Sequence, residues 1–262
     1  QSAVREIDEM IRATDAIMVA RGDLGIEVPM EELPIIQRRI VKQCIRFGKP
    51  VIVATHMLES MIENPVPTRA EISDVANAVF EQTDAIMLSG ETTIGRYPVR
   101  CVEVFDRVAK RIERSGGAGY SKDAVLIDAR HKTVYSAVVL ADSLPRPKLI
   151  VFTRHGTMAR YVSNLRPQYA QIFAFTPNEH VCRQLALCWG VQPTLLEFTD
   201  DPNATIEAAE KHLCEAGLTR AGDNLVVLSD LRASGAQIDS IQVRQAKGGT
   251  GANAKPLESM MD

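Results

Sequence analysis

The chain has 262 residues, 45% of them apolar and 24% charged, with a formal net charge of −3. That is enough for one large or two ordinary cores, and the charge balance leaves no footprint for nucleic acid or an anionic membrane. No apolar run approaches the roughly 20 residues of a membrane span.

Gln1 opens the chain with neither an initiator Met nor a leader's basic and apolar regions, so the sequence reads as a piece of a longer protein. Five cysteines are scattered without C-x-x-C spacing, which argues against a disulfide framework or zinc site and for a reducing cytoplasm. The five histidines show no metal-ligand spacing either.

Taken in order, Ala16–Ala20, Val51–Ala54 and Ala85–Leu88 are nearly uniform apolar runs, as expected for parallel strands covered on both faces. A helix over Glu31–Phe47 places Ile36, Ile40 and Cys44 four apart and stops at Gly48. Thr68-Arg-Ala-Glu71 reads as a capping box opening a second helix, and Pro98–Arg114 gives a third. The β-α-β-α-β-α order implies a parallel sheet with right-handed crossovers. Gly116-Gly117-Ala118-Gly119 marks a domain boundary. Beyond it Asp123–Ser143 reads as helical. Strands are expected near Lys148–Phe152, Gln171–Phe175, Thr194–Phe198, Asn224–Leu228 and Ser240–Gln245, with helices starting near Thr157, Asn178 and Ala204. This is a second α/β domain, an open sheet with a final antiparallel strand. The tail from Ala246 to Asp262 is expected to be disordered.

The figure Asp-Ala-Ile-Met occurs twice, at Asp15 and at Asp84, and each time leads a strand into a polar, glycine-bearing stretch. Every early strand ends this way: Arg21-Gly22-Asp23, Thr55-His56, and Ser89-Gly90-Glu91-Thr92. Single clusters of this kind are ordinary strand-to-helix turns. Three in succession, delivered to one face by parallel strands, point to a site. Asp23 offers a hard carboxylate for Mg²⁺, Gly22 and Gly25 permit close approach of backbone N–H groups to an anion, and Thr55 offers a hydroxyl. These groups by themselves specify metal-assisted chemistry on a small anionic substrate and no further.

The stretches "IMVARGDLGIEVP", "GKPVIVATHMLESMIENPVPTRAEISDVANAV" and "DAIMLSGETTIGRYP" closely resemble pyruvate kinase, as do "VFTRHGTMARYVSNLRP", "AFTPNE" and "LCWGV" in the second half. The resemblance implies an α/β protein. Residues 1–115 would be the last three βα units of a (β/α)₈ TIM barrel, and 116–245 a separate α/β regulatory domain. It implies transfer of the phosphoryl group of phosphoenolpyruvate to ADP in glycolysis, with Mg²⁺ and K⁺ as cofactors and a cytoplasmic homotetramer as the assembly. Asp23 matches the Mg²⁺ ligand, and the N–H groups of Gly22 and Asp23 with the Thr55 hydroxyl match the substrate-binding set. Ser89 and Glu91 match candidates for the enolate-side proton network, with turn stabilisation an equal reading. Arg21 matches a structural position.

The matching catalytic Lys, a second metal-binding carboxylate, the K⁺ ligands and the lid domain are absent from the sequence, so the chain alone is expected to be an inactive fragment. His56 stands where many relatives carry Gln, and local hydrogen bonding at the site edge is its expected role. Thr153-Arg154-His155-Gly156-Thr157 follows a strand, opens a helix, and matches a clamp for a phosphorylated allosteric effector, with Arg160 a weaker contact; a plain helix cap is the competing reading. Trp189 and Gly190 match packing positions. Two rivals are a non-catalytic phosphometabolite-binding protein and a metal-dependent lyase barrel acting on phosphoenolpyruvate or pyruvate.

Overall fold

The computed structural model describes residues 2–233 and 236–247. The chain runs through α1 (Ser2–Arg5), α2 (Ile7–Ala13), β1 (Ile17–Ala20), α3 (Arg21–Glu27), α4 (Leu33–Phe47) and β2 (Val51–Ala54). It continues through α5 (Arg69–Phe80), β3 (Ala85–Ile86), α6 (Gly90–Thr93) and α7 (Pro98–Glu113). The three strands pair in parallel in the order β1-β2-β3, with Ile17 opposite Val51 and Ile52 opposite Ala85.

Local chemistry sets the helix ends. Gly48 adopts a left-handed conformation (φ 69°) and donates to Cys44 and Ile45 carbonyls, closing α4. Thr68 and Glu71 form the reciprocal capping box at the start of α5. Val19, Val51 and Val53 pack beneath Ile40, Cys44 and Val75 of the helices. Met18, on the opposite side of β1, is 53% exposed, because the described residues supply no layer over that face. Among the described residues the sheet is covered by helices on one face and open on the other, in keeping with the barrel sector that the resemblance implies. β3 is shorter than its apolar run suggests, although Met87 N–H still reaches the Val53 carbonyl at 3.0 Å.

The glycine-rich stretch lies along this first lobe: Ala118 N–H bonds to the Phe80 carbonyl at 2.8 Å, and Tyr120 packs on the first core. A separate 3₁₀ turn spans Tyr120–Asp123, and α8 (Ala129–Ser143) starts later than expected because Asp128 caps it, accepting from His131 N–H at 2.8 Å.

The second lobe contains α8, β4 (Pro147–Phe152), α9 (Thr157–Asn164), β5 (Gln171–Thr176), α10 (Glu179–Leu185), β6 (Val191–Leu195), α11 (Pro202–Glu215), β7 (Asn224–Ala233) and β8 (Ala236–Gln245). Its sheet order is β6-β5-β4-β7-β8, with β7–β8 the antiparallel pair. Alternate strand residues feed two cores. Leu149, Val151, Ile172 and Val226 pack on one face against α8, α9 and α10, while Ile150, Phe173, Phe175 and Val227 face α11. β6 lies earlier than Thr194–Phe198 because Gly190, at φ 66°, turns the chain straight into the sheet. Ala246, assigned to the tail by composition, is buried against the second core; residues 248–262 lie outside the described set.

The lobes meet at a buried ion pair. Arg166 Nη2 lies 2.9 Å from Asp84 Oδ2, and the two side chains are 2% and 4% exposed. Arg166 also donates to the carbonyls of Gln82 and Ser163. The Asp84 carboxylate accepts in addition from Val51 N–H (2.9 Å) and Trp189 N–H (3.1 Å). Trp189 is half-buried with its ring against the Arg166 guanidinium, so it belongs to the junction rather than to a core.

Candidate active site

The polar clusters at the ends of β1, β2 and β3 lie side by side, since the strands are adjacent and parallel. β1 passes without a loop into α3, so Arg21, Gly22 and Asp23 form the first turn of a helix, where N–H groups have no intrahelical acceptor. Arg21 is buried and acts as a strut. It pairs with Asp74 on α5 and donates to the carbonyls of Ala54 (3.3 Å) and Thr55 (3.1 Å), which locks the end of β1 to the end of β2. Gly22 N–H donates to Thr55 Oγ1 at 2.9 Å, and that hydroxyl donates on to the Ala54 carbonyl at 2.7 Å. Asp23 is exposed at the mouth, and its carboxylate has no side-chain partner among the described residues.

After β2, Thr55 and His56 both take positive φ angles, 69° and 51°. Left-handed conformations cost a side-chain-bearing residue about 1–3 kcal/mol, and they persist where the surroundings fix them. Here Arg21 fixes Thr55. Farther along the loop, Glu91 holds Leu58: its Oε1 accepts from Leu58 N–H at 3.0 Å and its Oε2 from Ser89 N–H at 2.8 Å. Glu91 is only 2% exposed, so its two oxygens tie the β2 and β3 turns together. Ser89 is exposed beside it. The structure thus brings Gly22, Asp23, Thr55, Ser89 and Glu91 to one end of one sheet. Sequence reading missed Asp74, the partner that fixes Arg21 here, because an acidic residue on a surface-like helix carries no signal of a distant partner.

In the second lobe Thr153 is buried at the end of β4, with its N–H on the Phe175 carbonyl at 3.0 Å. Arg154 and His155 are exposed, and the Arg154 guanidinium sits 5.1 Å from the Phe198 ring centroid. Gly156 has φ 80° and precedes α9 without any side-chain cap, leaving Thr157 as the first helical residue. Arg160 reaches back to the His155 carbonyl at 3.3 Å.

Among the described residues no group of three or more His, Cys, Asp or Glu side chains converges as a metal cage. Of the two carboxylates at the described strand ends, Glu91 is hydrogen-bonded and Asp23 is free, which suits a hard cation that takes one or two carboxylates and fills its shell with substrate oxygens and water. No described helix is long and apolar enough to cross a membrane. All five cysteines are free thiols, and burial, with the nearby Asp84 carboxylate adding to it, pushes Cys44 up to about 12.

Two family models match the chain: "Pyruvate kinase, barrel domain" over residues 1–102 and "Pyruvate kinase, alpha/beta domain" over residues 131–243. The chain is 44% identical over 229 residues to plastidial pyruvate kinase 3 of Arabidopsis thaliana, covering 86% of the chain and 40% of that protein. It is 42% identical over 233 residues to a pyruvate kinase of Clostridium acetobutylicum, covering 87% of the chain and 49% of that protein. It is 43% identical over 238 residues to pyruvate kinase isozyme G of Ricinus communis, covering 90% of the chain and 56% of that protein. The chain therefore spans about half the length of these relatives. With a barrel sector followed by a doubly wound α/β lobe, and both halves matched in that order, the chain belongs to the pyruvate kinase family.

Proposed function

We propose that the chain acts as part of a pyruvate kinase, an enzyme that moves the phosphoryl group of phosphoenolpyruvate to ADP and yields pyruvate and ATP. The observation that carries this reading is the convergence of three polar strand ends, with Asp23 exposed and without a side-chain partner at the end of β1 and its neighbours tightly held. In this reading residues 1–115 belong to the catalytic barrel and 116–245 to a regulatory domain.

The first-turn amides of α3 at Gly22 and Asp23 receive the substrate carboxylate, with Gly22 N–H shared with Thr55 Oγ1. The Thr55 hydroxyl orients that turn and stands ready to place a proton near the enolate formed when the phosphoryl group leaves. Glu91 holds the Ser89 backbone, and Ser89 offers its exposed hydroxyl to the same proton network. Asp23 would hold Mg²⁺, which when bound offsets the charge that develops on the bridging oxygen. The K⁺ requirement is a family expectation whose ligands are not among these residues. Thr153 to Thr157 would take a phosphorylated effector, with Arg154 as the charged partner. A homotetramer in the cytoplasm completes the proposal, and the free, unpaired thiols support a reducing compartment.

The test is turnover in the full-length protein. Phosphoenolpyruvate, ADP and Mg²⁺ should give equimolar pyruvate and ATP, and Asp23→Asn should lower kcat at least a hundredfold while leaving the melting temperature unchanged. Formation of a C–C cleavage product without ATP, or tight phosphoenolpyruvate binding with no turnover, would replace this reading by a lyase or a binding protein.

A further inference from the structure

The loop leaving β2 contains one residue that the functional reading has not used. His56 lies between two anchors: Arg21 holds the Thr55 carbonyl before it, and Glu91 holds the Leu58 N–H after it. Its φ of 51° turns the side chain back toward the β1–α3 turn. There the imidazole Nδ1 donates to Glu59 Oε2 at 2.6 Å. With Nδ1–H committed to a carboxylate, the other ring nitrogen is the one presented to its surroundings. That nitrogen faces Gly22. A Cβ placed on Gly22 would lie 2.8 Å from His56 Nε2 and 3.7 Å from Thr55 Oγ1. The first distance is closer than a real Cβ comes to a non-bonded atom, so the ring occupies the space that a side chain at residue 22 would need.

Both side chains of the His56–Glu59 pair are more than half exposed, at 54% and 59%. An exposed pair of this kind contributes little to stability. What it does fix is the direction of the ring, and the ring in turn walls one side of the turn whose amides face the substrate.

We propose that His56, oriented by Glu59, is a positioning residue for phosphoenolpyruvate: its ring holds the Gly22–Asp23 turn in the conformation that receives the substrate carboxylate. The proposal rests on the pyruvate kinase reading above and assigns a residue to it. The ring borders the turn assigned to the substrate carboxylate, so loss of the wall is expected to raise the requirement for phosphoenolpyruvate and leave that for ADP alone.

The experiment is steady-state kinetics on the full-length enzyme carrying His56→Ala, His56→Gln or Glu59→Gln, each with a melting temperature. His56→Ala should raise KM for phosphoenolpyruvate about tenfold, equivalent to about 1.4 kcal/mol, with KM for ADP within twofold of wild type. His56→Gln should recover most of the loss, since its amide fills similar space and still donates to Glu59. Glu59→Gln should fall between, at roughly threefold, because the ring remains but loses its charged anchor. A phosphoenolpyruvate KM within twofold of wild type in His56→Ala overturns the proposal, as does a parallel rise of both KM values. Should His56→Ala melt well below wild type, Glu59→Gln at an unchanged melting temperature decides the matter by the same criterion. A wild-type enzyme that makes no ATP defeats the function reading itself, whereas an active wild type with a silent His56 defeats this assignment alone.

Discussion

Replacing Asp84 with Ala should destabilise the protein by about 4 kcal/mol, far more than a typical polar substitution. The Asp84 carboxylate accepts from the Arg166 guanidinium at 2.9 Å, from Val51 N–H at 2.9 Å and from Trp189 N–H at 3.1 Å. Removing one partner of a buried ion pair costs about 3–5 kcal/mol, since the remaining charge stays desolvated. Counting the groups separately leads to the same range. An orphaned buried donor costs about 1–3 kcal/mol, and three lose their acceptor here, with some regained from water entering the space. Arg166→Met should cost less, about 2 kcal/mol, because the Asp84 carboxylate keeps its two backbone donors. The double variant leaves no lone charge, so its loss should fall at least 1.5 kcal/mol short of the sum of the singles. Urea unfolding of the four full-length proteins measures this cycle. Calorimetry should also resolve two transitions in Asp84→Ala where the wild type shows one, as the lobes come uncoupled. A loss below about 1 kcal/mol for Asp84→Ala, or strictly additive singles, would show that the junction is held by something other than this pair.

Two further outcomes are expected. The Glu71 carboxyl is raised by burial, but hydrogen bonds from Ser60 and Thr68 outweigh that and hold it below the ordinary carboxylate value. A depressed folded-state pKa contributes stability above the unfolded value that is lost as pH falls through the folded one. The Tm gap between wild type and Glu71→Gln should thus be about 2–4 °C at pH 7, begin to close as pH falls below the ordinary Glu value of about 4.3, and vanish once the folded-state carboxyl is protonated; a gap that persists after that assigns it to packing. Arg154→Ala should weaken binding of a sugar phosphate at least tenfold in titration calorimetry, with Arg154→Lys intermediate, because a guanidinium–phosphate contact is charge-assisted. An unchanged affinity would leave Thr153 to Thr157 as a plain entry to α9.

Much of the fold was legible because it rests on neighbours in sequence. Thr68 and Glu71 are three residues apart and declared their helix start; Gly48 declared a helix end; Val51–Ala54 declared a strand. Errors arose where a local signal was cut short by a contact or a turn. Asp128 set the start of α8 later than the helical reading from Asp123, and Gly190 set β6 at Val191, ahead of the run expected from Thr194. The clusters at the strand ends could be listed from sequence, but their geometry could not. The left-handed angles at Thr55 and His56 depend on Arg21 and Glu91, both more than thirty residues away, and residue type gives no hint of them. The Asp84–Arg166 pair is separated by 82 residues, so only the folded chain reveals it.

The position of that pair along the strands has an evolutionary reading. Asp84 immediately precedes β3 and binds the N–H of Val51, the first residue of β2, whereas Thr55 stands just past the other end of the same strand. Four strand residues at about 3.3 Å each put roughly 13 Å of rigid backbone between the joint and the polar mouth. The second lobe is thus bolted to the foot of the sheet, opposite the polar strand ends. Substitution in the turns at those ends leaves the joint intact, and replacement of the attached lobe leaves the polar strand ends intact. A lineage built on this plan is free to vary the two ends of the sheet on separate schedules.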